Sequence, residues 1–465
     1  MDQIPFTELE EQSISQLQEA MAAGTLTAHR LVEMYQQRIL ALDQHGPTLR
    51  SVLEINPDAL AIADELDAER RTRGPRGPLH GIPILIKDNI ATADRMQTTA
   101  GSLALLGSQP ARDAFVAHKL REAGAVILGK ANLSEWANFR STTSSSGWSG
   151  RGGQALNPYV LDRSPCGSSS GSAIAIAANL AAASLGTETD GSILCPAACC
   201  GVVGIKPTVG LTSRAGVIPI AHSQDTVGPF ARTVTDAAIL LGAITGIDER
   251  DGATQASANK FHTDYTRFLN RDGLKGARIG IARQIYFGYQ PKLDKAANAA
   301  IEQMRELGAI IIDPADIPNG KQMRTSQSEE TVLLFELKTD LNAYLADLAS
   351  SPIRTLAEII AFNEAHAQEE LPYFGQELLL QAQEKGPLSD PDYVAALAEN
   401  HRLARQEGID AVMDEHHLDA LVMPTISLPG RIDLVNGDHF LGGCTQPAAL
   451  AGYPAISVPA GLIFG

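Results

Sequence analysis

Apolar positions change period along this chain, from helical spacing to short extended runs and back again. After Thr27, Leu31, Met34, Tyr35, Ile39 and Leu42 keep helical spacing, and Thr7-Glu-Leu-Glu10 matches a capping box. Residues 1–65 are therefore expected to form N-terminal helices packed outside a sheet. β-rich runs follow at Ile82 to Ile86, Ala125 to Leu128, Ile279 to Ala282, Ile310 to Ile312 and Leu418 to Met423. Amphipathic stretches such as Lys292 to Leu307 separate several of them. This alternation predicts one α/β domain over residues 1–465, with a large mixed, mostly parallel β-sheet core covered by α-helices on both sides. Its motif-bearing core spans 66–250. Long helical patterns, including Glu329 to Leu348 and Tyr393 to Glu407, predict a helical cover over the cleft at 320–410. Phe335, Leu341, Phe362, Tyr373 and Phe374 in that cover are candidates for an apolar substrate channel, with core packing as the alternative for each.

Composition narrows the partners. Lys plus Arg number 37 against 54 Asp plus Glu, giving −17, and no basic block stands out, which argues against nucleic acid or an anionic membrane surface. The start lacks a basic region followed by an apolar one, and no uncharged apolar run reaches membrane-span length, so a cytoplasmic protein is expected. Five cysteines without a regular framework fit reduced thiols. Cys195, Cys199 and Cys200 have no nearby histidine, and no metal is expected there or at His416-His417.

Four motifs carry candidate chemistry. Gly124 to Lys130 has phosphate-loop spacing, but Ala131 replaces the magnesium-binding hydroxyl and Ala125 to Leu128 read as a strand, so nucleotide binding is set aside. Gly167-Ser-Ser-Ser-Gly171 fits a nucleophile elbow centred on Ser169, yet Tyr159 to Pro165 make a poor preceding strand. Ser192 follows the short turn Thr189-Asp-Gly191, whose consecutive N–H groups can converge on one oxygen. Ser168 and Ser169 precede a helical run, where free N–H groups favour an oxygen that transiently carries negative charge, although capping alone accounts for any one of these serines. Lys87, in Gly81-Ile-Pro-Ile-Leu-Ile-Lys-Asp-Asn89, completes the set: a desolvated neutral lysine can accept a serine proton.

These residues resemble the amidase signature family, whose set is a lysine, a serine preceded by a cis peptide bond and a nucleophilic serine 24 positions later. The resemblance runs from about residue 10 to the C-terminus and takes in Gly129-Lys-Ala-Asn-Leu-Ser-Glu135, Gly204-Ile-Lys-Pro-Thr208 and Ser223-Gln-Asp-Thr-Val-Gly-Pro229. It implies Lys87, Ser168 and Ser192 as catalytic residues, with oxyanion donors at Thr189, Asp190, Gly191 and Ser192. Cys166-Gly-Ser-Ser-Ser-Gly-Ser172, Glu188-Thr-Asp-Gly-Ser192, Arg151-Gly-Gly-Gln154 and Asn157 to Arg163 resemble the peptide amidase branch. Glutamine-dependent relatives carry an arginine where this chain has Leu194, which points to a neutral amide substrate. Ser169, Asp190 and Leu194 are the expected substrate-binding residues, and an ionised Asp190 would repel an acid.

The implied activity is hydrolysis of carboxamide C–N bonds with ammonia release, on peptide C-terminal amides, by a monomer or homodimer without a cofactor. The alternatives are aryl, fatty or small aliphatic amides, or a subunit that hands ammonia to a partner. Family members continue past the segment matching Ser457 to Gly465 through a further strand and helix, so exposed apolar sheet surface is expected near that end.

Overall fold

The computed structural model describes residues 4–463. Its strands are β1 (Val52–Ile55), β2 (Pro83–Lys87), β3 (Val126–Ala131), β4 (Trp148–Ser149), β5 (Gly153–Gln154), β6 (Ala183–Glu188), β7 (Val203–Lys206), β8 (Thr226–Ala231), β9 (Arg278–Ile281), β10 (Ile310–Ile312), β11 (Ala420–Val422) and β12 (Ala455–Ser457). The main sheet has the order β1-β3-β2-β6-β8-β7-β12. It is mixed: β3, β2 and β6 run parallel at its centre, while β1 and the β6-β8-β7-β12 side pair antiparallel. A second sheet, β10-β9-β11, is parallel throughout. Among the described residues no helix is long and apolar enough to cross a membrane.

Burial on both faces explains the central strands. Every residue of β2, β3 and β6 is buried, and Ile84, Leu85, Ile86, Val126 and Ile127 join one core with Ile14, Leu31, Tyr35 and Ile39 of the N-terminal helices. Thr27 caps the helix Ala28–Arg38 through a hydrogen bond from Arg30 N. The capping box lies elsewhere than Thr7 to Glu10: Thr7–Leu9 is a single 3₁₀ turn, and Ser13 with Gln16 makes the reciprocal pair ahead of Ile14–Ala22. Ser13 fits the same Ser/Thr-x-x-Glu/Gln pattern and is followed by a longer apolar stripe.

Helices Gly320–Thr325, Ser328–Asp347, Leu356–Ala365, Glu377–Gln383 and Pro391–Ala404 occupy the segment expected to form a cover. Leu334, Leu337, Leu341 and Leu345 pack against Ala104, Leu105, Leu133 and Trp136 of the core. Buried polar contacts reinforce this seam, since Leu103 N donates to Glu370 Oε1 at 2.6 Å and Arg140 pairs with Glu135 and the Glu370 carbonyl. The Ser141 to Gly153 stretch is ordered, closing through the β4-β5 hairpin, and Arg151 pairs with Glu54 and Asp88. At the sheet edge, Ile456 and the adjacent Val458 are about half exposed.

Candidate active site

β2 and β6 pair in parallel, and Lys87 at the end of β2 reaches Thr187 of β6 through its side chain. Lys87 is fully buried, and its Nζ lies 2.7 Å from Ser168 Oγ, 2.8 Å from Thr187 Oγ1 and 3.3 Å from the Thr187 carbonyl. Asn89 Nδ2 donates to Thr187 Oγ1 at 3.0 Å and fixes that hydroxyl. Burial is the main force on the lysine and pulls its pKa down to about 7, against the charges of Asp225 and Glu188. A substantial fraction is therefore neutral at physiological pH.

Ser168 enters through a cis Gly167–Ser168 peptide just before the helix Ser170–Ala177. Its carbonyl accepts from Ser134 N at 3.1 Å, and Ser169 N donates to the Ser192 carbonyl at 3.1 Å. That second bond joins the two serine segments.

Ser192 sits on the turn after β6. Glu188 organises this turn from within: its carboxylate accepts from Gly191 N at 2.9 Å, Ile193 N at 2.7 Å and Leu194 N at 2.9 Å. Gly191 has φ +78°, and a Cβ there would come within 3.0 Å of Cys195 Sγ and 3.1 Å of Thr445 Oγ1, so glycine suits both the backbone and the space. Thr189 Oγ1 donates to Asp225 Oδ1 at 2.5 Å, while Asp225 Oδ2 accepts from Ile220 N and Ala221 N. Burial still raises Asp225 to about 6. The amides of Asp190 and Ser192 have no acceptor among the described residues.

A cleft of about 300 Å³ is lined by Ser192, Thr189, Asp190 and Gly167, and also by Glu329, Glu330 and Leu333 of the helix Ser328–Asp347. The Lys87–Ser168 pair is fully buried, while Ser192 and Gly167, the residue before Ser168, line the cleft; this set is suited to acyl transfer. Residues 30–463 also match the model of the amidase family. The chain belongs to this family.

Its relatives agree along nearly the whole length. A solved peptide amidase from Stenotrophomonas maltophilia superposes with a TM-score of 0.92 at 50% identity, covering 98% of this chain and 91% of that one. A relative in Arabidopsis thaliana named as a probable amidase is 46% identical over 460 residues, covering 97% of this chain and 84% of its own. A glutamyl-tRNA(Gln) amidotransferase subunit from Chloroflexus aurantiacus is 36% identical over 466 residues, covering 99% and 92%. The protein is an amidase with the amidase signature fold.

Several expected site residues play other parts in this amidase. Ser169 is fully buried, and its hydroxyl donates to the Thr187 carbonyl at 2.9 Å and accepts from Thr187 N at 3.2 Å, so it braces β6 rather than facing substrate. Gly191 spends its N–H on Glu188 and shapes the turn instead of opening it. Leu194 is buried in the first turn of Leu194–Cys199 and does not line the cleft. Phe335 packs on Tyr393, Leu341 lies in the seam under the cover, and Phe374 stacks edge-on against Trp148; with Phe362 and Tyr373, they stand away from the cleft lining.

Lys206 and Lys130 are committed elsewhere. Lys206 Nζ donates to the Tyr453 carbonyl at 2.7 Å, and Lys130 Nζ to Ile90 O and Thr98 Oγ1. Glu188, Asp225 and Glu329 were not singled out by sequence reasoning. Glu188 and Asp225 lay inside the quoted Glu188 to Ser192 and Ser223 to Pro229 motifs without a role of their own, and Glu329 only opened a helical pattern.

Proposed function

We propose that this amidase removes the C-terminal carboxamide of peptides and releases ammonia, with Ser192 as nucleophile, Ser168 as relay and Lys87 as base. The observation that carries the reading is the buried Lys87 Nζ at 2.7 Å from Ser168 Oγ, on a lysine whose pKa burial lowers to about 7. Neutral Lys87 takes the Ser168 proton while Ser168 takes that of Ser192, and the Ser192 oxygen attacks the amide carbon. Thr189, Asp190 and Ser192 amides hold the resulting oxyanion. On collapse the proton returns from Lys87 through Ser168 to the amide nitrogen, the C–N bond breaks and ammonia departs. Water then repeats the relay on the acyl-enzyme, yielding the free acid and restoring Ser192.

The Stenotrophomonas maltophilia peptide amidase, half identical over almost the full chain, supports a peptide amide as substrate. The five free thiols support a cytoplasmic setting. One domain acting as a monomer or homodimer is sufficient for this chemistry.

Ammonia release by the purified chain from an N-acetyl dipeptide amide, lost in Ser192→Ala, is the expected result. Release from glutamine alone, or only with a partner added, would favour the amidotransferase-type reading raised by the 36% identical Chloroflexus aurantiacus relative.

A further inference from the structure

The cleft beside Ser192 is acidic. Asp190, Glu329 and Glu330 line it, and among the described residues no lysine, arginine or histidine does. Asp190 lies two residues before the nucleophile, with Oδ1 buried and without a hydrogen-bond donor among the described residues. Glu329 comes from the cover helix Ser328–Asp347 and is held in place from two sides, by Gln224 Nε2 at 3.0 Å and Gln446 Nε2 at 2.8 Å. Burial, reinforced by Glu329, keeps the Asp190 carboxyl well above the usual carboxylate range. Two carboxyl groups lining one cleft resist double ionisation, and a cation between them removes that resistance. Lys206, the buried cation that acts on Asp190, is tied to the Tyr453 carbonyl.

We infer that Asp190 and Glu329 form an anionic subsite for a cationic group carried by the substrate, so that amides bearing an ammonium or guanidinium are hydrolysed in preference to neutral ones of the same size. This rests on the proposed function and specifies its substrate class. The unpaired Asp190 Oδ1 and the fixed Glu329 carboxyl supply the hydrogen-bond acceptors that such a group requires, and its positive charge draws negative charge onto the pair. The cation has two possible sources, a lysine or arginine side chain next to the scissile amide or the α-ammonium of an amino-acid amide.

Two matched pairs separate these sources in an ammonia-release assay of the full chain: N-acetyl-glycyl-lysinamide against N-acetyl-glycyl-norleucinamide, and leucinamide against N-acetyl-leucinamide. The expected result is a kcat/KM preference of roughly tenfold or more for the cation in at least one pair, falling toward unity in Glu329→Gln. The pair that shows the preference identifies the source. Equal kcat/KM within both pairs in the unaltered enzyme overturns the subsite while leaving the proposed function standing. A preference that persists in both Glu329→Gln and Asp190→Asn also overturns it. Ammonia from none of the four substrates overturns the peptide-amide reading, and the subsite with it.

Discussion

Replacing Lys87 by methionine is expected to abolish turnover and at the same time stabilise the fold. The unfolded chain carries this lysine at its ordinary pKa of 10.5, whereas the native site lowers it to about 7. Between these values the unfolded state holds a proton that the native state has shed, so wild-type stability rises with pH across the window, and the full penalty applies below about 7. At pH 7 the penalty is about 4 kcal/mol, from a pKa difference of about 3.5 at about 1.36 kcal/mol for each, less the half-titrated remainder. Methionine has similar length and no charge to desolvate. Leaving Ser168 Oγ and Thr187 Oγ1 without Nζ costs about 1–3 kcal/mol, and the net gain at pH 7 is about 1–3 kcal/mol. Urea unfolding at pH 7 and pH 10 reads this directly, because the advantage of the variant shrinks at the higher pH. In activity assays of the unaltered enzyme, the neutral fraction falls from about nine-tenths at pH 8 to about one-tenth at pH 6, and kcat/KM follows it. A methionine variant that keeps turnover sinks the base assignment. One destabilised equally at both pH values sinks the buried neutral lysine.

Other substitutions probe the frame around the site. Ser169→Ala should lose about 1–2 kcal/mol through its bonds to Thr187 and keep turnover within a few-fold; loss of all activity in a folded variant would restore the elbow reading. Gly186→Ala places a Cβ 2.5 Å from the Phe230 ring and 2.6 Å from Ser169 Oγ, and a loss of about 1–3 kcal/mol, read as a lower urea midpoint, is expected. His222 pairs with Asp340 at 2.8 Å, and that hydrogen bond, the largest influence on it, raises its pKa above the free value of 6.5. Its contribution is present below pH 6.5 and lost as pH rises through the native value, and solvent screening at this half-exposed ring holds it to about 0.5 kcal/mol. His222→Asn should flatten that pH dependence in urea midpoints, and an unchanged profile would count against the pair.

The candidate catalytic side chains were legible because their types are unusual together: a lysine ending an apolar strand, serines before a helix and a second serine after a Gly-containing turn. The strand carrying that turn was not. β6 reads Ala-Ser-Leu-Gly-Thr-Glu, without the β-branched alternation that marks a strand, because its neighbours leave room only for small residues; Gly186 is wedged between Phe230 and Ser169. Glu188 was missed for a related reason. A glutamate beside a turn ordinarily points to water, and its role as acceptor for three backbone amides depends on a fold-back that spacing alone does not reveal. Glu329 reaches the cleft only through docking of the cover, a contact distant in sequence from the nucleophile. Ser169, expected among the substrate-binding residues, is bonded on both sides to Thr187 as a buried brace of β6.

The central claim is that Ser192 attacks. Treating the enzyme with a fluorophosphonate and mapping the adduct by peptide mass spectrometry tests it directly. The account predicts one phosphonyl group on Ser192, absent in Ser192→Ala and strongly slowed in Lys87→Met. An adduct on Ser168 or Ser169, or labelling that survives Ser192→Ala, would contradict it.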